Sequence, residues 1–179
     1  MINSIFEKVL QKNELLKTIL LLFSLVGMMV LMRWINIPLK NEFAPAGIVS
    51  FELAKDIEKS TLILSSWGNE ALNSAKKSMY YDFLFLCIYS TFIGLLIYKL
   101  NKKLNIEKPL LTEIILGSVF LAAFFDVIEN IALLQLIYGN LEQVWSSMAY
   151  YFAMMKFIIL AIAIVYVLVG SMLVLYKKI

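Results

Sequence analysis

Three ionisable residues lie deep in otherwise apolar segments of this 179-residue chain, Asp126 and Glu129 in one and Lys156 in the next. A charge at the centre of a membrane helix costs roughly 2.5 to 3.5 kcal/mol, so such residues are kept for pairing or for function. Asp126 and Glu129 are three apart, and Asn130 follows Asp126 at i+4, which puts all three on one helix face. Two acids facing one lysine leave a surplus acid that must hold a proton or await a cation. The set suits general acid/base chemistry, with Asp126 or Glu129 handling the proton and Lys156 orienting a carboxylate or phosphate. Hydrolysis, isomerisation or proton-driven cyclisation fits these groups. The structural alternative is a buried ion pair that only fixes helix register, although such pairs rarely offset their desolvation cost.

The rest of the composition narrows the chemistry further. There is no histidine and a single cysteine, Cys87. Imidazole relays, His-ligated metals, Cys-rich zinc sites and intrachain disulfides are therefore excluded. No metal site is expected and no cofactor is specified. The formal charge of +3 gives no reason to expect nucleic-acid binding.

The elements that must position these groups are membrane helices. The chain is 61% hydrophobic and 16% charged, with a mean hydropathy of +0.83, far from the balance of a soluble domain. Residues 1–17 read as an amphipathic segment on the inner membrane surface. Apolar runs predict transmembrane helices over 18–37, 80–100, 110–138 and 148–176, with Pro38, Pro109 and Gly139 marking ends. The long polar connection 39–79 predicts two short interfacial helices. A signal peptide competes for the first run, since Ala44 and Ala46 could form a cleavage pattern. The length of the run and the intervening Lys40 and Glu42 speak against it.

The expected fold is thus all-α: one polytopic domain over 1–179, with four transmembrane helices and short interfacial helices in the first outer connection. Nine Lys fall on the expected inner side, against Arg33 and five Lys on the outer side. The positive-inside rule then places both termini in the cytoplasm. From the helix ends, Glu129 and Lys156 lie about 13 and 12 Å below the outer surface and Asp126 about 18 Å. The three can meet. Ala149, Ala153, Ala163 and Gly170 form a small-residue stripe with Lys156, so that face should turn inward.

The same reckoning gathers Asp82, Tyr81, Tyr89, Arg33, Tyr151, Asn130 and Glu52 in the outer half as candidate ligand-binding residues. Glu52, flanked by Phe51 and Leu53, could be pressed down onto the others. Trp34, Trp67 and Trp145 read as interface anchors, and Cys87 as a packed apolar residue.

From Phe51 onward the sequence carries FELA, Trp67, YYDFLF at 80–85, IYS at 88–90, DVIEN at 126–130 and KF at 156–157. In these it resembles a family of four-helix bacterial membrane proteins. The resemblance implies an inner-membrane setting and brings no activity with it. A looser architectural likeness to the four-helix sterol isomerase and sigma-2 receptor group rests on no shared motif.

Together these readings predict an outward-facing intramembrane polar pocket that binds or processes an amphipathic small molecule of the lipid or isoprenoid class. The expected partners are membrane lipids and that ligand, with oligomerisation, and the choice between binding and catalysis, left open. The alternatives are a proton- or cation-coupled transport component and an accessory or assembly subunit with a structural ion pair.

Overall fold

The computed structural model describes residues 13–104 and 109–176. The surface segment expected over 1–17 falls mostly outside them. Among the described residues the fold is all-helical, and four helices are long and apolar enough to cross a membrane.

The first, α1 (Glu14–Ile35), is stopped where Asn36 turns its N–H back to Met32 O and Trp34 O, and where Pro38 enters a 3-10 turn at Ile37–Leu39. It packs mainly on the next long helix, and of its residues Met28 and Ile35 are buried. Two short helices follow, α2 (Ile48–Glu52) and α3 (Ile57–Ser66). Then come α4 (Asn69–Leu104), α5 (Pro109–Ile137) and α6 (Gln143–Tyr176), which pack against one another.

Two features differ from the sequence expectation. The segment before Tyr80 is no separate interfacial helix: α4 runs unbroken from Asn69 for 36 residues, about 54 Å at 1.5 Å per residue. Hydropathy marks where a helix leaves hydrocarbon, and the helix itself continues as long as its residues favour it. The short helices α2 and α3 expose one face, with Val49 and Leu62 open, and bury the other. Leu39, Phe51, Ile63 and Trp67 are buried in one core with Met79 of α4, Leu133 and Leu136 of α5 and Ala149 of α6. The connection is a plug seated in one end of the bundle, called the plug end below.

Irregular backbone packed against a bundle must have its polar groups satisfied, and here side chains do so. Asn36 Oδ1 accepts the Ile48 N–H at 2.8 Å. Asn41 Oδ1 accepts from the Phe43 and Ala44 N–H groups, both at 2.9 Å. Gln143 Oε1 accepts the Ile57 N–H at 2.9 Å while its Nε2 donates to Lys55 O. Trp67, expected as an interface anchor, instead donates its indole N–H to Leu39 O and meets Phe51 edge-on at 5.3 Å. Buried Ser60 and Ser146 share a 2.6 Å hydrogen bond between α3 and α6.

Candidate functional site

α4, α5 and α6 each contribute to one buried polar cluster. α6 turns its small residues Ala149, Ala153, Ala163 and Gly170 inward, and Lys156 is buried on the same face. Its ammonium lies 2.9 Å from Asp126 Oδ1 and 2.7 Å from Glu129 Oε2. Tyr89 of α4 donates to the other Asp126 oxygen at 2.8 Å. One turn along, Asn130 Nδ2 donates to Asp82 Oδ2 at 2.7 Å. The i, i+3, i+4 spacing in α5 therefore presents Asp126, Glu129 and Asn130 to two neighbouring helices at once.

Glu52 completes the cluster from outside the four long helices. It is 8% exposed at the end of α2, and its carboxyl reaches that of Glu129. Burial pushes the Glu52 carboxyl above the usual carboxylate range; the nearby Lys156 charge opposes this and the Asp126 charge adds to it. Four carboxyl groups, of Glu52, Asp82, Asp126 and Glu129, thus share the field of a single ammonium.

The partners divide the acids into two kinds. Asp126 has both oxygens engaged, one by Lys156 and one by Tyr89, the environment of a fixed counter-ion. Glu129 is fully buried, with Oε2 2.7 Å from the Lys156 ammonium and Oε1 without a hydrogen-bond partner among the described residues. Two buried carboxyls in contact, beside an ammonium already paired with Asp126, require a shared proton. Glu52 and Glu129 therefore form a pair able to take up or release one.

Of the residues expected at the site, Asp126, Glu129, Lys156, Asn130, Asp82, Tyr89 and Glu52 come together. Arg33, Tyr81 and Tyr151 do not, and stand exposed on other faces. Tyr81 is one residue from Asp82 and Tyr151 five from Lys156, spacings that turn a side chain away on a helix. Arg33 belongs to α1, which lies outside the α4–α6 contact. Cys87 is exposed, not packed. The serine and glutamine latches of the plug carry no sequence signal of their own, being isolated polar residues in amphipathic segments. Among the described residues no group of three or more His, Cys, Asp or Glu is placed to hold a metal ion.

Depth along α4 centres the cluster. Tyr89 lies nine residues from Tyr80, whose hydroxyl bonds that of Tyr138 near the plug end, and ten from Lys99, which bonds Thr18 near the other. Both spans are about 14 to 15 Å. Beneath the cluster, Leu95, Ile97, Tyr98, Leu116, Val119 and Ala163 form a mainly apolar layer. Comparison with protein-family models, with curated proteins and with solved structures yields no match.

Proposed function

We propose that this protein binds an amphipathic small molecule of the lipid or isoprenoid class at the buried cluster, and that Glu52 and Glu129 exchange a proton with it. Both termini would be cytoplasmic and the membrane a bacterial inner membrane, a reading supported by the excess of lysine on that side and by the family resemblance. The observation that carries the proposal is the seating of Glu52, from a segment outside the four long helices, against the buried carboxyl of Glu129. A purely structural ion pair needs one acid for Lys156; here two already contact it and a third is delivered from the plug. Lifting α2 would expose a polar centre walled by the apolar faces of α4, α5 and α6, the lining an amphiphile requires.

In this mechanism Asp126, held by Tyr89 and Lys156, keeps the ammonium in place. Lys156 orients an oxygen of the ligand, and the Glu52/Glu129 pair supplies or accepts the proton. The layer beneath the cluster counts against a transmembrane proton path, because it is mainly apolar and carries no ionisable carboxylate or lysine in its buried set. The test is mass spectrometry of organic extracts from gently purified wild type beside an Asp126→Asn/Glu129→Gln variant. A small molecule present only with the wild type is expected; extracts identical between the two would overturn the proposal.

A further inference from the structure

A second amphipathic site lies at the plug end, on the opposite side of α4 from the carboxylates. A groove of about 470 Å³ runs between the end of α1 and the first turns of α4, within the range of small-ligand clefts. One wall is apolar, made by Trp34, Ile37 and Pro38; the other is Glu70, Asn73, Ser74 and Lys77. The α4 residues follow i, i+3, i+4, i+7, a continuous polar stripe on one helix face. Glu70 and Lys77 are seven residues apart, about 10 Å along the axis. Neither has an opposite charge at i±3 or i±4, the positions where a helix neighbour would neutralise it.

The height of the groove fits the headgroup layer. Trp34 is 69% and Tyr80 57% exposed, the pattern of an aromatic belt at the membrane boundary. Lys77 stands one turn beyond Tyr80 and Glu70 two turns further from the bilayer centre. A bound molecule would therefore meet, from hydrocarbon outward, an apolar and aromatic wall, a cation, two neutral hydrogen-bonding side chains and then an anion.

We infer that this groove is a binding site for a zwitterionic phospholipid with a primary ammonium headgroup. Such a lipid carries its phosphate next to the glycerol and its ammonium farther out, the order complementary to Lys77 and then Glu70. Asn73 and Ser74 between them accept hydrogen bonds from ammonium N–H groups, which a quaternary headgroup lacks. The quaternary alternative is served by a cage of several aromatic rings, and the groove has one. The order of charges is the same whichever way the protein faces, so the assignment is independent of topology and of the proposed function.

The test is native mass spectrometry of the full chain released from nanodiscs containing equal parts of phosphatidylethanolamine, phosphatidylcholine and phosphatidylglycerol with matched acyl chains. Wild type should retain the ethanolamine lipid over each of the others by about fivefold, the scale of one exposed charged contact. Lys77→Gln should lower retention of all three, while Glu70→Gln should bring the ethanolamine to choline ratio to about one. Both positions are solvent-facing, so neither variant threatens the fold. Retention of the three lipids in their bulk ratio, a preference for the glycerol lipid, or an ethanolamine preference that survives Glu70→Gln would each overturn the assignment.

Discussion

The Glu52 carboxyl, carried by a five-residue helix of the connecting plug, meets the Glu129 carboxyl two turns before the end of α5. Two acids in contact in a dry site cannot both be charged without a large penalty, so this contact couples the seating of the plug to a proton.

The first prediction is a pH-dependent plug. Burial raises the Glu52 pKa from an ordinary value of 4.5, so the folded state holds that proton more tightly than the unfolded chain. The stability gained is full below 4.5 and is lost as pH rises through the raised value. Lys156 and the hydrogen bond with Glu129 limit the loss, while Asp126 deepens it. Hydrogen exchange in α2 should therefore accelerate from mildly acidic toward alkaline pH, and Glu52→Gln should flatten that dependence. Exchange that slows with rising pH, after correction for the intrinsic rate, would contradict it.

The second prediction concerns the ion pair. Lys156→Met leaves Asp126 and Glu129 buried without their cation, and should destabilise the protein by about 3 to 5 kcal/mol. Adding Asp126→Asn should recover much of that loss, because the acid held as a fixed counter-ion is then neutral. Chemical unfolding in detergent of the two single variants and the double measures the coupling. Additive losses would mean that the pair is not the unit the 2.9 Å contact suggests.

How far the sequence leads depends on which physical signal each residue carries. The four long apolar helices are written in hydropathy, and the meeting of Asp126, Glu129 and Lys156 follows from helical spacing and their distance from the helix ends. The inward turn of Lys156 is legible from the small residues around it. The seating of α2 and α3 is not, because Leu39, Phe51, Ile63 and Trp67 look alike whether they face lipid or protein. Depth alone also grouped Arg33, Tyr81 and Tyr151 with the site; helical phase and the peripheral place of α1 remove them. Phase is the stronger constraint, since a side chain at the right height on the wrong face has the backbone between it and its target.

The third prediction tests the hinge of the plug. Gly47 sits at φ +66° just before α2, and a Cβ there would run into the Asn36 side chain. That amide accepts the Ile48 N–H and donates to Ala46 O, so it clamps the start of α2. Gly47→Ala should cost about 1 to 3 kcal/mol from backbone strain, with the loss confined to the plug. Proteolysis within residues 40–56 should rise while the melting of the spanning helices changes little. A variant as protease-resistant as the wild type would mean that the clamp is dispensable.

The fourth prediction asks whether the plug is the entrance. Ser60 and Ser146 join α3 to α6 with hydroxyls 2.6 Å apart, a separation compatible with a disulfide once both are cysteine. In a Cys87→Ala background, which removes the only native thiol, Ser60→Cys/Ser146→Cys should close under oxidation. Dicyclohexylcarbodiimide, an apolar reagent for protonated carboxyls, then reports access to Glu52 and Glu129 by peptide mass spectrometry. Reduced protein should be labelled at these two positions, and oxidised protein should be protected until the bond is reduced again. Equal labelling in both states would show that small apolar molecules reach the cluster between the spanning helices, and the plug would then be a structural seal. Protection that reverses on reduction would instead tie access to the movement of α3, the element through which the Ser60 and Ser146 contact fastens the plug to the bundle.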